Sequence, residues 1–253
     1  KFLDLAIADI KGVVKTKTSH GQLLKYETRA IDQRHVIVTF YYETGDAMGL
    51  NMINVATDAV CKYIANKYPI SRYYLRSNYS SDKKVSNHNF FTGYGKSVTA
   101  SVSIHNAVLK NYLGSTVNEL YDFWHWSFLA SQQSGMLGVN AHFANGLSAI
   151  YVATGQDVAQ IVNAATGTTI MDKRGDEIVV TVKLPSLVCG TFGGGTRLPT
   201  QRECLGLMGC LGEGDARKFA EIVAATILCG EISICSALSA GIFAQAHDKK
   251  RMM

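Results

Sequence analysis

Four segments of this 253-residue chain concentrate groups able to do chemistry. In Ser81-Asp-Lys-Lys84 two ammonium groups adjoin a carboxylate, either as a working cation site or as a solvated turn. Asp157, in Gly155-Gln-Asp157, follows the stretch 123–156, which lacks Asp, Glu, Lys and Arg. A carboxylate in such surroundings is either partly buried, and then paired with a cation of the Lys83 or Lys84 type, or an exposed helix cap. Gly45-Asp-Ala-Met-Gly-Leu-Asn-Met52 is a glycine-containing turn into a helix. Its free N–H groups could hold a phosphate, though small residues before a helix are common and Asp46 suits an ordinary N-terminal cap. In Gly190-Thr-Phe-Gly-Gly-Gly-Thr196, three consecutive glycines either admit a ligand close to the backbone or form a plain loop. His247, near the chain end, is either a partner of a helix dipole or a proton donor.

The elements that must position these groups follow from apolar spacing. Residues 2–14 read as a helix, 23–28 and 35–42 as strands, and a helix runs from Met48 to just before Pro69, followed by a short strand at 72–75. Helix, strand, strand, helix, strand is a split βαβ, ferredoxin-like order with its first strand absent. Beyond it come a strand at 97–104, helices near 106–112, 115–134 and 140–154, strands near 168–171 and 178–184, and a long closing helix over 215–246. That last helix carries Glu221 and Glu231 in otherwise apolar turns, the pattern of a buried central helix. The fold class is therefore α+β, with an incomplete small domain over 1–72 inserted into a larger mixed α/β domain over 73–253.

Composition narrows the function classes. With 47% apolar and 18% charged residues the chain has ample core-forming material, which excludes disordered and fibrous classes. A net charge of +5 without long basic runs argues against nucleic-acid binding. Polar residues scattered through 123–156 argue against a membrane span there. Six Cys without a Cys-x-x-Cys point to reduced thiols in a cytoplasmic protein and to no metal site. Because the chain opens at Lys1 without Met or a signal segment, it is expected to be part of a longer polypeptide.

Taken in register, these segments, with Asn140-Ala-His-Phe-Ala-Asn145 and a Leu-Ser-Ala-Gly helix running toward His247, resemble class I 3-hydroxy-3-methylglutaryl-CoA reductases. The resemblance covers essentially the whole chain, and Thr18-Ser-His-Gly-Gln-Leu23 and Lys218-Phe-Ala-Glu-Ile222 look more like the soluble prokaryotic members. It implies reduction of an acyl-CoA thioester by two hydride transfers from NADPH or NADH. Lys83 would stabilise the developing alkoxide, Asp157 would hold Lys83, and His247 would protonate the departing CoA thiolate. Asp82 and Lys84 would grip the acyl part, together with Asn145. Asp46, Met48, Gly49, Leu50 and Asn51 would border the nicotinamide, and Gly193, Gly194 and Gly195 would let the cofactor approach. A homodimer or tetramer with sites between subunits is implied.

The chain departs from the family pattern in four places. The family's catalytic glutamate, in a Thr-Glu-Gly segment upstream of the small domain, is not in this sequence, so an upstream segment or companion chain is expected to carry it. Arg76 stands at a substrate-binding serine position. His125, between Trp124 and Trp126, stands where a lysine would meet the substrate carboxylate; Arg76 could supply that charge instead. Ser19 stands where relatives often carry an Arg suited to a 2′-phosphate. These departures keep a non-catalytic subunit, or a reductase of a different acyl-CoA, open beside the reductase reading.

Overall fold

The computed structural model describes residues 2–245 and 248. Two small antiparallel sheets are surrounded by helices, a mixed α/β architecture. Helix α1 (Phe2–Lys15) leads into β1 (Gln22–Ala30) and β2 (Val36–Glu43), which pair antiparallel, and α2 (Leu50–Lys67) follows. Apolar residues of α1 and α2 recur every three to four positions. They bury Ile10, Val14, Ala56, Val60 and Ile64 with Leu23 of β1 in one cluster.

The expected strand at 72–75 is not formed. A strand needs a partner to satisfy its backbone groups, and among the described residues none pairs with this segment.

The second sheet has the order β3 (Lys96–His105), β5 (Glu177–Leu187), β4 (Thr168–Arg174), all antiparallel, with Val102 opposite Val180 and Met171 opposite Val180. In β5 the alternation places Ile178, Val180, Val182 and Leu184 on one buried face. That face meets α9 (Asp215–Ser239), whose Phe219, Val223, Ala224 and Ile227 join the same core. Helix α3 (Asn87–Thr92) precedes β3, and between β3 and β4 lie α4 (Asn106–Val108) continuing into a π-turn at Leu109–Leu113, α5 (Val117–Gln133), α6 (Phe143–Thr154) and α7 (Ile161–Ala164). A further helix, α8 (Pro199–Leu207), which apolar spacing did not flag, begins with Pro at its first turn.

Helix α9 is shorter than its periodicity suggests. It ends at Ser239 in a Schellman turn, with Ile242 N–H on the Ala237 carbonyl (3.1 Å), Gly241 N–H on Leu238 (3.1 Å), and Gly241 at φ +68°. Within α9, Glu231 is buried, yet its Oε1 accepts from the backbone N–H of Ala141 (2.9 Å) and His142, and its Oε2 from the Thr169 hydroxyl (2.7 Å). The carboxylate thus ties the backbone just before α6 to α9. Glu221, in contrast, is exposed. Among the described residues one helix, α9, is long and apolar enough to cross a membrane; here its apolar face fills the core beneath the second sheet.

All six Cys are free. Burial pushes the Cys189 thiol up to about 11 and Cys235 up to about 12, so both stay protonated.

Candidate active site

Residues distant in sequence meet in one cleft of about 480 Å³. Its walls are the start of α2 (Met48 to Met52, with Asn54), the loop bearing Arg76, Asp82 and Lys83, the Gly155–Asp157 turn after α6, and Phe192 to Gly195 after β5; His20 stands at the edge.

The floor is an ion pair. Lys83 Nζ lies 2.7 Å from Asp157 Oδ2, with the side chains 37% and 28% exposed. Asp157 Oδ1 accepts from Ala159 N–H (3.1 Å), capping the single turn Val158–Gln160. Asp157 is therefore both the cation's partner and a cap. Its direction comes from Gly155, which closes α6 at φ +69° while Gln156 N–H bonds the Tyr151 carbonyl (2.9 Å).

The Lys83 loop is strained and braced. Asn78, Ser81 and Lys83 all have left-handed φ (64°, 54° and 59°), which non-glycine residues seldom hold without external support. That support comes from Asn163, whose Nδ2 donates to the carbonyls of Ser81 and Lys84 (both 3.1 Å), on either side of Lys83. Asp82 is only 7% exposed. It accepts from Gln160 Nε2 (2.6 Å), the Tyr94 hydroxyl (3.1 Å) and the Arg76 guanidinium. The acid expected to grip substrate is thus saturated by protein donors, and its work within the chain is to hold Arg76 at the cleft.

Two backbone segments lock the opposite wall. Gln156 brackets Gly190, accepting from its N–H (2.9 Å) and donating to its carbonyl (2.9 Å). A Cβ on Gly155 would lie 2.3 Å from the Gly195 carbonyl oxygen, so the two turns touch through bare backbone. Ala47 and Phe192 form a parallel bridge, with Thr191 N–H on the Asp46 carbonyl (2.8 Å).

The Asp46 carboxylate does not cap α2, which begins at Leu50 behind Gly49 (φ +75°) without a side-chain cap. It reaches across the fold instead, accepting from Gly214 N–H (2.8 Å) and Ala216 N–H (2.9 Å) at the start of α9. Proximity in sequence favoured α2, but the chain approach at Gly190 carries Asp46 to the other helix. Asp46→Ala is expected to lower stability by about 1–2 kcal/mol, the usual worth of a helix cap, in urea unfolding, with Asp46→Asn losing less.

The start of α2 thus keeps its first N–H groups open to the cleft. Gly193 and Gly194, at φ +81° and +54°, have no atom within 4 Å of where a Cβ would stand. Open backbone, an uncapped helix start and a cavity of this size fit an extended phosphate-bearing ligand.

Of the sequence-derived candidates, Arg76, Asp82, Lys83, Asp157, Met48, Gly49, Leu50, Asn51, Gly193, Gly194 and Gly195 line this cleft or, like Asp157, its floor. Within one chain, Ser19, Lys84, His125 and Asn145 are exposed and do not line it. Lys84 Nζ turns back to the Asp82 carbonyl (3.3 Å), and His125 stacks on Tyr121 with ring centroids 6.2 Å apart. His247 lies outside the described residues. Among the described residues no group of three or more His, Cys, Asp or Glu gathers as a metal site. The reading missed His20, Gln156, Gln160 and Asn163. The last two carried a faint signal, since polar residues recur at 157, 160 and 163 within an otherwise apolar run.

Comparison with known proteins is consistent across the chain. The family model described as hydroxymethylglutaryl-coenzyme A reductase matches residues 3–252. Curated 3-hydroxy-3-methylglutaryl-coenzyme A reductases from Methanocaldococcus jannaschii and Aeropyrum pernix are 39% and 41% identical over 95% and 96% of this chain, covering 61% and 59% of their own lengths. The chain therefore spans about three-fifths of these relatives. Among solved structures, the class II 3-hydroxy-3-methylglutaryl-CoA reductase of Streptococcus pneumoniae bound to NADPH superposes with a TM-score of 0.70 at 22% identity, over 93% of this chain and 58% of that one, a likeness of fold.

Proposed function

The chain belongs to the hydroxymethylglutaryl-coenzyme A reductase family, and from that premise we propose that it reduces 3-hydroxy-3-methylglutaryl-CoA to mevalonate as part of a longer cytoplasmic protein. The observation that carries this reading is the Lys83–Asp157 pair on the floor of the cleft, 2.7 Å apart and reachable from solvent.

The open backbone of Gly193 and Gly194 and the start of α2 would hold a reduced nicotinamide cofactor, which would supply the hydride equivalents. The chain's own groups handle charge and protons. The Lys83 ammonium donates a hydrogen bond to the thioester carbonyl oxygen and stabilises the negative charge that gathers there. Asp157 holds the ammonium in place, and the Asn163 brace keeps its backbone in the one conformation that faces the cleft. Preorganisation of this kind spares reorganisation at the moment of reaction. Arg76, tethered to Asp82 through Nη2, retains further N–H donors for the acyl group's carboxylate. His247 is assigned protonation of the CoA thiolate. The acid for the alcohol oxygen is assigned to a glutamate of an upstream segment or companion chain.

The separate cluster formed by α1, α2 and β1 supports reading residues 1–72 as the cofactor domain and 73–253 as the substrate domain. In a ferredoxin-like order the segment 72–75 would pair with a strand preceding α1. A homodimer or tetramer would bring the exposed His125, Lys84 and Asn145 toward a neighbouring copy's site.

The test is thioester-dependent oxidation of NADPH and NADH by the full-length protein. Turnover with two equivalents of cofactor per thioester is expected. Binding of both ligands without turnover would replace this reading with that of a non-catalytic relative.

A further inference from the structure

Two turns in succession carry the Lys83 ammonium. Ser81 N–H donates to the Asn78 carbonyl (3.0 Å) and Lys84 N–H to the Ser81 carbonyl (3.1 Å), so Ser81 ends one turn and begins the next. Tyr79 lies in the first turn and Lys83 in the second, with Asn78, Ser81 and Lys83 all left-handed. A shift of the first turn is therefore passed to the second through Ser81. On the side of the larger core that residue is held by Asn163 Nδ2 (3.1 Å) and Asn89 Nδ2 (3.4 Å), both on its carbonyl.

The half-buried Tyr79 ring is met by two other elements. The Arg29 guanidinium carbon, from β1, lies 5.3 Å from its centroid, and the His88 ring, from α3, lies 5.6 Å from it at 45°. His88 is anchored to the larger core. Its N–H bonds Ser86 Oγ (3.1 Å) at the start of α3, and Ser186 Oγ of β5 donates to the Asn89 carbonyl (2.7 Å). Arg29 comes from the other core. Leu23 of the same strand packs with Ala56 and Val60 of α2, the helix whose first turn borders the cleft. Glu27, on the same face of β1 as Arg29, is taken by Lys25 Nζ (2.6 Å) and the Tyr41 hydroxyl (2.9 Å). No ion pair between described residues involves Arg29, so its cation is left to the Tyr79 ring.

We infer that Tyr79 is a positioning residue for Lys83 and that Arg29 clasps it to the first sheet, so that α2 and the reacting ammonium keep one relative placement. The inference rests on the reading of Lys83 above and adds what couples that lysine to the opposite wall of the cleft. Without the clasp, the loop is held from the larger core alone, and the ammonium shifts relative to whatever is bound along α2. A displacement of about 1 Å at a reacting group is enough to cost a large factor in rate.

The test is steady-state oxidation of NADPH with the thioester by the full-length protein. Arg29→Met, at an exposed position, is expected to lower kcat about two- to fivefold, the worth of one cation on a ring, with the dissociation constant of NADPH unchanged. Tyr79→Leu, which removes both ring contacts, is expected to lower kcat on the order of tenfold. Tyr79→Phe, which keeps the ring, restores that loss. The double variant Arg29→Met, Tyr79→Leu is expected to be no slower than Tyr79→Leu alone, because one interaction cannot be lost twice. Urea unfolding separates this from a merely structural role, which would lower the unfolding midpoint and leave the kcat of the folded protein in place. Near-normal kcat in Arg29→Met, or losses that multiply in the double variant, overturns the clasp while a severe loss in Lys83→Met keeps the reading of Lys83. Near-normal kcat in Lys83→Met overturns both.

Discussion

Lys83→Met in the full-length protein is expected to lower kcat by about two to three orders of magnitude and to leave the folded state and NADPH binding in place. The magnitude is that of losing one preorganised donor to a developing oxyanion. Met retains the length of the side chain, so the cleft keeps its shape and only the charge is removed. Because the interaction strengthens as negative charge develops, the loss falls on kcat, with KM changing little. Steady-state kinetics with far-ultraviolet circular dichroism as the control for folding checks this. A variant with near-normal kcat would remove Lys83 from the chemistry and leave the Lys83–Asp157 pair a purely structural tie.

Gly155→Ala is expected to destabilise the protein by about 2–4 kcal/mol, well beyond the cost of its backbone conformation alone. The residue sits at φ +69°, and its Cβ would fall 2.3 Å from the Gly195 carbonyl oxygen and 2.4 Å from its carbon. Both are backbone atoms, so the contact cannot be relieved by rotating a side chain, and overpacking adds to conformational strain. Gly175, in the β4–β5 turn, supplies the control: its φ is +61°, but a Cβ there meets nothing within 4 Å. Gly175→Ala should cost only about 1 kcal/mol. Equal costs in urea unfolding would show that the two turns do not touch. Since Asp157 follows two residues later, Gly155→Ala also moves the Lys83 partner, and activity should fall more steeply than stability alone accounts for.

Long periodic elements were legible without coordinates: α2, α5, the start of α9 and the strands of the second sheet lie within a few residues of where apolar spacing places them. Their ends were less so. The end of α9 depends on Gly241 entering the left-handed region rather than on the apolar pattern, which continues past it. The strand at 72–75 failed for a different reason, because a strand's existence depends on a partner that local sequence does not encode. The candidate site was legible as segments, since glycine runs and isolated charges mark themselves. Its support was not: Gln160, Asn163 and Tyr94 act through hydrogen bonds to residues about 80 or only 12 positions away, and nothing in their immediate neighbours announces those partners.

The sequence by itself determined which side chains carry charge, where the backbone is free of Cβ, and which stretches become helix or strand, because these follow from residue chemistry and short-range periodicity. Only the tertiary structure decided how the charges are divided. Residue chemistry left Asp157 with either Lys83 or Lys84 as its partner; the structure places it on Lys83, gives Asp82 to Arg76, and turns the Asp46 carboxylate to α9 rather than to the helix beside it. It also brings Arg29 and His88 onto one ring, that of Tyr79. The physical reason is that an ion pair, a cap or a ring contact forms over a few ångströms in space, and which groups come that close is set by the packing of the two cores and not by their order along the chain.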